Sequence, residues 1–382
     1  MAKSTAICSV HLDAMRATAA LVVFAGHARV LFIGSLLGAA GIGANAHKVV
    51  SGGHHTIGQT DPGHQAVIVF FVLSGYLVGG GTLRAWQRGL WTWREYAIQR
   101  LTRLWMVLLP ALLLTVLLDR VGIALFGFGG IYGGPIGQDS IPRDILSRLD
   151  SKTFFGCLLF LQNVFTKTLG SNSPLWTLSY EFWFYIAFPS CLGVASSRLS
   201  LRARFVYMAL LISIGVLVGP KIISYYFIWL MGASLQLVPK TLTQRVAERL
   251  TLPALLLFLA AAGMLLVAQI QVFESDLIEG AAFWVFCYVI LHNYAPAKRS
   301  LYKGLSNRLS DMSYSVYLTH QPILTFLCAA LMSQWMPWSL NVLHLMNFTL
   351  VLAAAFCIMY SFYWSFERRT EFVRTALRSF LT

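Results

Sequence analysis

The sequence predicts an all-α protein, a polytopic membrane bundle of about ten transmembrane helices that forms a single domain over residues 1–382. Three observations support this fold class. The chain is 57% hydrophobic and 12% charged, whereas a soluble domain carries about twice that charged fraction. Its apolar residues lie in successive long runs, as in a helical bundle, whereas the strands of a membrane barrel would alternate polar and apolar residues. Most of its cations lie in short loops between those runs.

The apolar runs give approximate limits for the membrane-spanning helices. These limits are 12–38, 65–83, 104–126, 175–195, 204–219, 221–238, 252–272, 280–297, 312–333 and 341–363. Several of the runs are short, which suits tilted packing or a locally thin bilayer. A further apolar run, residues 154–166, is too short to cross. We expect it to form a re-entrant or interfacial segment, because counting it as a crossing would place the next arginine-rich loop outside.

The distribution of Lys and Arg predicts the orientation of the bundle. If both termini are cytoplasmic, the cation-rich regions all fall on the cytoplasmic side; they are the loops at 84–103, 196–204, 239–251 and 298–311 and the tail from 364. The alternate loops carry few cations, and one of them has Glu274, Asp276 and Glu279. The positive-inside rule therefore places both termini in the cytoplasm. The same distribution accounts for the net charge of +14 without a nucleic-acid partner.

The cysteines and the loop histidines do not favour a metal site. The six cysteines have no CxxC spacing, and five of them lie in apolar runs, which indicates core packing. His47, His54, His55 and His64 lie in a glycine-rich loop whose only carboxylate is Asp61. A metal cluster there is conceivable, but solvated loop histidines are the simpler interpretation. We therefore predict no metal site.

Polar residues inside the first span are the main indication of function. Arg16 and His27 are eleven residues apart, which brings them back to nearly the same helix face after three turns, about 16 Å along the axis. A cation and an imidazole are costly to keep in a membrane. Taken singly, Arg16 could extend to the headgroups and His27 could bond a neighbouring carbonyl. Together they favour a functional site.

Charged residues in two later spans accompany this pair. Arg100 and Arg103 share a helix face at the cytoplasmic interface, where a single arginine is an ordinary anchor but two can bind a phosphate group. Glu181 lies about 9 Å below the outer surface and His27 about 22 Å from the inner one, so their depths coincide in a hydrocarbon core of about 30 Å. The two side chains could meet, and a carboxylate that orients an imidazole holds a general base in one tautomer.

Uncharged polar residues mark the second and ninth spans. Ser74 and Gly75 lie near the middle of the second span, where close helix packing is the stronger explanation for both. His320 lies about three turns into the ninth span, on the face of Tyr317 and just before a kink expected at Pro322. A hydrogen-bonded core residue and a site residue are equally good interpretations of this histidine.

Several sequence elements, in the same order along the chain, resemble those of the acyltransferase-3 family of integral membrane acyltransferases. Members of this family O-acetylate bacterial surface polysaccharides, lipopolysaccharide O-antigens and related acceptors. The matching elements are an Arg–ten residues–His signature at Arg16 and His27, an FFxLSGYL-like element at 70–77, an RxxR pair at Arg100 and Arg103, a WSLSxExxFY-like element at 176–185 and a YSxYLxH element at 314–320. Two departures are Thr177, which replaces the first serine of the fourth element, and Glu367, whose family motif here lacks its proline.

The resemblance implies a membrane-embedded O-acyltransferase of the bacterial inner membrane that takes an acyl group, acetyl first of all, from acyl-CoA. Arg16, Arg100 and Arg103 would bind this donor, His27 would be the general base, and Glu181 would orient it. The acceptor would be a hydroxyl group of a glycan, a glycolipid or a small hydroxylated molecule, and no cofactor would be tightly bound. The candidate lining positions are Ser74, Gly75, Trp176, Ser179, Tyr185, Tyr317 and His320.

Three alternatives stay open at this point. One is a structural or interaction membrane protein, which would tolerate substitution of Arg16 and His27. An acyl-histidine intermediate on His27 could replace direct transfer. A secondary transporter or flippase of a polar or lipid-linked substrate would also have charges inside the membrane and kinked helices. The transporter and the enzyme differ in their chemistry, because a transporter would neither bind acetyl-CoA nor release free CoA when an acceptor is supplied.

Overall fold

A computed structural model describes residues 7–33, 62–133, 142, 144–239, 241–267, 272–292 and 300–381. Within these residues every regular element is helical, which confirms the all-α prediction. The loop histidines His47, His54 and His55 lie outside the described residues, as do parts of several predicted spans.

The helices follow the predicted spans but begin and end at different residues. They are α1 (Ile7–Phe32), α2 (Pro62–Ser74), α3 (Gly80–Gln87), α4 (Trp93–Phe126), α5 (Ser151–Leu158), α6 (Trp176–Ala195), α7 (Leu201–Ser234), α8 (Gln244–Val267), α9 (Val272–Ile290), α10 (Leu301–Asp311), α11 (Ser313–Leu331), α12 (Val342–Ser365) and α13 (Thr370–Leu381). A π-helical turn, Gly75–Gly79, joins α2 to α3.

Length and composition identify the membrane helices. Among the described residues, six stretches are long and apolar enough to cross a bilayer: Cys8–Phe32, Pro62–Gln87, Trp93–Phe126, Leu201–Ser234, Gln244–Met264 and Val342–Phe380. The chain is therefore an integral, multi-pass membrane protein.

α7 consists of two helical halves. At Gly219 the backbone leaves the helical region, with φ 76° and ψ 174°, and Pro220 follows. Glycine adopts this positive φ without strain, and proline has no N–H to donate to the preceding turn. The break falls between the predicted spans 204–219 and 221–238.

The short apolar run 154–166 is part of a hairpin, residues 149–171, that packs against α4. Both ends of the hairpin contact neighbouring residues of α4: Arg120 donates to the Leu149 carbonyl at 3.3 Å, and Ser171 donates to Asp119 at 2.7 Å through both its N–H and its hydroxyl. At the tip, the Trp105 indole donates to the carbonyl of Leu158 at 2.9 Å. Trp105 lies about 21 Å along α4 from Asp119. The hairpin therefore descends along α4 and returns to the level where it started.

The cation-rich regions lie on one face of the bundle. Pairs of residues from different regions contact each other there: Arg198 with Gln87, Arg84 with Gln236, Trp93 with Tyr207, His11 with Tyr302, and Arg378 with Glu95. The start of α1 and the whole of α13 therefore lie on the same face as the basic loops. We call it the basic face.

Two helices of the basic face, α10 and α13, lie in regions that the sequence predicted only as a charged loop and a charged tail. α10 packs against α1, and α13 packs against α4. α13 is amphipathic: Arg374 and Arg378 contact α4, whereas Phe372 and Phe380 are 76% and 85% exposed. Exposed phenylalanines beside basic residues are typical of a helix that lies in the membrane interface.

α11 occupies the centre of the bundle. Fourteen of its nineteen residues are buried, and it packs mainly against α1, α4 and α12. Because these neighbours shield α11 from lipid, it can carry Ser, Thr, His and Gln side chains, which are costly in contact with hydrocarbon.

Candidate active site

A cavity of about 140 Å³ lies between α1, α2, α4, α6 and α11. Three arginines line it, Arg16 from α1 and Arg100 and Arg103 from α4. The side chain of Arg103 is 41% exposed, so this end of the cavity opens to the basic face. The structure therefore brings together the three cations that the sequence predicted as donor-binding residues.

Two of the three arginines keep an N–H group that no described residue accepts. Arg16 donates to the Ser310 carbonyl at 3.3 Å and lies 3.5 Å from the Asp13 carboxylate. Even so, the Nε–H groups of Arg16 and Arg100 have no hydrogen-bond partner within the described part of the chain. Arg16 and Arg103 are also close enough to repel each other. A cluster of cations with unused donors favours an anionic ligand.

Glu181 also lines this cavity. The Tyr185 hydroxyl donates to its carboxylate at 3.3 Å and lies 3.2 Å from the Ser74 hydroxyl. Arg100 and Arg103 are near enough to attract the Glu181 carboxylate. Glu181 is therefore the anionic member of the arginine cavity.

His27 forms a pair with His320. The two rings stack with centroids 5.0 Å apart, and His27 Nδ1 lies 2.9 Å from His320 Nε2. His320 Nδ1 lies 3.0 Å from the carbonyl oxygen of Val316. Because a carbonyl oxygen only accepts, this Nδ1 carries the hydrogen, and the Nε2 of a neutral His320 is an acceptor. His27 Nδ1–H then donates to His320, which leaves a lone pair on His27 Nε2.

The histidine pair lies one turn of α11 beyond the cavity. Tyr317 lines the cavity, and its ring lies 6.0 Å from that of His320. The expected contact between Glu181 and His27 is not among those that the described residues make. His320 takes the place next to His27, and Glu181 bonds Tyr185 in the cavity.

A family model described as an acyltransferase domain matches residues 10–364. The matched region is most of the chain and contains the cavity and the histidine pair. The chain belongs to the acyltransferase-3 family.

One relative among curated proteins is named "Putative peptidoglycan O-acetyltransferase YrhL", from Bacillus subtilis (strain 168). It is 27% identical over 306 residues, which cover 71% of this chain and 46% of that protein. The chain thus spans about half the length of this relative. No solved structure matches the chain.

The candidate lining positions of this acyltransferase-3 protein separate into two groups. Ser74, Tyr185 and Tyr317 line the cavity. Trp176 and Ser179 lie elsewhere: the Trp176 ring packs 4.9 Å from that of Tyr180, and Ser179 donates to the Phe160 carbonyl in the hairpin at 2.8 Å.

Gly75 has a packing role. A Cβ on Gly75 would lie 1.9 Å from the Trp229 carbonyl oxygen, and a Cβ on Gly232 would lie 1.9 Å from that of Val72. The backbones of α7 and of the family's FFxLSGYL-like element therefore touch, which requires glycine on both sides. The π-helical turn begins at Gly75, and such turns are frequent at functional sites.

No role was predicted for Glu367, because the proline that closes the family's motif is missing. In the structure Glu367 is 6% exposed and accepts from the Ser315 N–H at 2.9 Å and the Ser315 hydroxyl at 2.6 Å. Its other oxygen lies 3.8 Å from Arg103. Glu367 therefore joins the first turn of α11 to a cavity arginine. The feature of the sequence that could have indicated this role is the position of Glu367, a carboxylate close to the end of the apolar run 341–363.

His64 was expected to be a solvated loop histidine, and the structure corrects this. His64 lies in the first turn of α2 and bonds Asp276 at 2.8 Å, while Tyr225 donates to the other Asp276 oxygen at 2.8 Å. Within the described ranges, no group of three or more His, Cys, Asp or Glu side chains is arranged to hold a metal.

Proposed function

We propose that this acyltransferase-3 protein transfers an acyl group, acetyl first of all, from acyl-CoA to a hydroxyl group of a glycan or glycolipid. Family membership supports acyl transfer, and the name of the Bacillus subtilis relative supports a glycan acceptor. The observation that supports acyl-CoA as the acyl donor is the arginine cavity, because its unpaired N–H groups suit the phosphates of CoA.

The proposed membrane arrangement is one domain with about ten crossings and both termini in the cytoplasm of a bacterial inner membrane. The long apolar stretches, with α7 counted as two crossings, give seven. The shorter helices α6, α9 and α11 complete the ten. The basic face would be cytoplasmic, and residues 149–171 would form a re-entrant hairpin from the opposite side.

The donor would enter from the basic face. Arg16, Arg100 and Arg103 would hold the CoA phosphates, and the pantetheine arm would extend along α1 and α11. His27 lies about 16 Å along α1 from Arg16, a distance that an extended pantetheine arm can cover. The thioester would then lie beside the His27 ring.

In the reaction, His27 Nε2 would take the proton from the acceptor hydroxyl. The hydroxyl oxygen would attack the thioester carbonyl carbon, the carbon–sulfur bond would break, and the CoA thiolate would take the proton back from the imidazolium. The products are an acyl ester and free CoA. His320 would hold His27 in the required tautomer and stabilise the imidazolium, as a carboxylate does in a hydrolase triad.

Glu181 would act in the arginine cavity. Its carboxylate lies with Ser74 and Tyr185 on the path that the pantetheine arm would follow. A carboxylate accepts hydrogen bonds, and the pantetheine arm carries two amide N–H donors. We therefore propose that Glu181 positions the donor, whereas the sequence suggested that it orients His27.

Mass spectrometry of cell-envelope glycans tests this function. Cells that lack the protein would be complemented with the wild type, with His27→Ala or with His344→Ala. His344 is a matched control, because it lies near the start of α12 and bonds Ser339 at 2.8 Å. We expect an acyl mass increment on the glycans with the wild type and the His344 variant and none with His27→Ala. An unchanged glycan profile in all strains would contradict a glycan acceptor.

A further inference from the structure

A glutamine and a threonine that follow His320 along α11 have no hydrogen-bond partner among the described residues. Gln321 is 0% exposed, and neither the nitrogen nor the oxygen of its amide has a hydrogen-bond partner within the described residues. The hydroxyl of Thr325, also 0% exposed, is unpaired in the same sense. Burying unpaired polar groups destabilises a protein, so such groups are rare unless a ligand pairs them.

Gln321 and Thr325 lie on the same helix as three cavity residues, beyond the last of them. Tyr317 and Gln321 are four residues apart, so they are neighbours on one side of α11, and Thr325 follows Gln321 at the same spacing. Ser313 and Tyr317 line the cavity, and Gln321 lies about 6 Å further along the helix than Tyr317. The Gln321 side chain is also near enough to the His27 ring to interact with it, although neither amide atom makes a hydrogen bond of normal geometry within the described residues.

We propose that the Gln321 amide is a catalytic group that donates a hydrogen bond to the carbonyl oxygen of the acyl group during transfer. This inference rests on the proposed acyl transfer. When the acceptor oxygen bonds to the carbonyl carbon, the π electrons of the carbonyl move onto its oxygen, which becomes an oxyanion. They return when the carbon–sulfur bond breaks. A hydrogen-bond donor that is held in place in a site without water stabilises the oxyanion.

The neighbouring hydrogen-bond donor on α11, His320, already has a hydrogen-bond partner. The Nδ1–H of His320 donates to the Val316 carbonyl, and the His320 Nε2 accepts from His27. Within the described part of α11, the Gln321 amide is the buried side-chain N–H donor beside His27 that has no bond. The Thr325 hydroxyl, one turn further on, would bind a polar group of the acceptor.

The first test compares two buried glutamines. Gln321→Met keeps the shape of the side chain and removes its amide; Gln162→Met does the same at a 0% exposed residue whose Nε2 donates to the Leu175 carbonyl at 2.8 Å. We expect Gln321→Met to lower kcat by about 10²- to 10³-fold with an equal or higher thermal midpoint. Gln162→Met should instead lower the midpoint. Unchanged kcat in Gln321→Met, or a lower midpoint with a matching loss of activity, would overturn the inference.

The second test needs no turnover. Two CoA analogues are compared: a ketone in which a methylene replaces the thioester sulfur, and S-ethyl-CoA, which has no carbonyl. We expect the ketone to raise the thermal midpoint of the wild type more than S-ethyl-CoA does, and we expect this difference to vanish in Gln321→Met. If the difference persists in the variant, the role of Gln321 is wrong while CoA binding stands. If neither analogue shifts the wild type, the acyl-CoA donor is wrong, and this inference falls with it.

Discussion

His320 Nε2 lies 2.9 Å from His27 Nδ1, and the opposite nitrogen of His320 donates to the carbonyl of Val316 in its own helix. A backbone carbonyl thus determines the tautomers of both rings. The consequence is that His27 Nε2 carries a lone pair instead of a hydrogen, as a general base requires.

Replacing His320 tests this relay. In His320→Gln the bond from His27 Nδ1 is lost or misplaced, so His27 can adopt the other tautomer. We expect kcat to fall by about 10²- to 10⁴-fold with little change in KM for the donor. Steady-state kinetics in detergent or nanodiscs would measure both constants.

His292 provides the matched control for His320. It is also buried, and its Nδ1 lies 2.7 Å from the carbonyl oxygen of Tyr288, four residues earlier and in the last turn of α9. We expect His292→Gln to retain its kcat. Equal losses in the two variants would mean that the effect comes from helix packing and would contradict the relay.

Arg103→Lys tests the donor-binding role of the cavity. Lysine keeps the charge but loses the planar fork that binds phosphate with two bonds. We expect KM for acyl-CoA to rise by about 10- to 100-fold with a smaller effect on kcat. The control is Arg84→Lys, because Arg84 lies on the basic face and bonds Gln236 outside the cavity. An equal rise in KM for both variants would mean that losing any guanidinium on the basic face has this effect, and it would contradict a specific role of the cavity arginine.

Glu367→Gln tests the link between α11 and the cavity. Because the carboxylate accepts both Ser315 hydrogen bonds, its neutral replacement should reduce the free energy of unfolding by about 1.5–3 kcal/mol. Glu371→Gln is the control, since the side chain of Glu371 is 71% exposed in its pair with Arg374 and should change stability by at most about 0.5 kcal/mol. Thermal unfolding would compare the two, and equal midpoints would contradict the structural role.

Gly75→Ala tests the crossing of α2 and α7. A methyl group there would collide with the Trp229 carbonyl, so we expect a large loss of stability or of assembly. In Gly81→Ala nothing lies within 4 Å of the added Cβ, and the variant should be about 0.5–1 kcal/mol more stable, because alanine favours a helix. Size-exclusion profiles and thermal midpoints would show the difference, and a stable Gly75→Ala variant would refute the crossing.

The sequence predicted the cavity better than it predicted the histidine pair. The three-residue spacing of Arg100 and Arg103 fixes a shared face, and the basic loops place Arg16 at the same level. The depth of Glu181 was also informative, but depth along the membrane normal does not determine which helices are neighbours. α1 packs mainly against α2, α10 and α11, while α6 packs mainly against α7. Glu181 and His27 therefore have different partners.

Other features of the candidate site could be recognised only in the folded chain. The roles of Glu367 and Gln321 depend on which elements the bundle brings to α11, and no local pattern encodes those contacts. The break at Gly219, in contrast, falls between the predicted spans 204–219 and 221–238, and the Gly–Pro pair there accounts for it.

Transfer across a bilayer tests the central claim most directly. Wild-type and His27→Ala proteins would be placed in liposomes that enclose oligosaccharides released from bacterial cell-envelope glycans, and acetyl-CoA with a radiolabelled acetyl group would be added outside. For molecules whose basic face is outside, we expect labelled ester on the enclosed sugar and free CoA in the outer solution with the wild type, and neither with His27→Ala. Labelled ester formed equally well by His27→Ala would contradict the account, and so would intact acetyl-CoA inside the liposomes without ester.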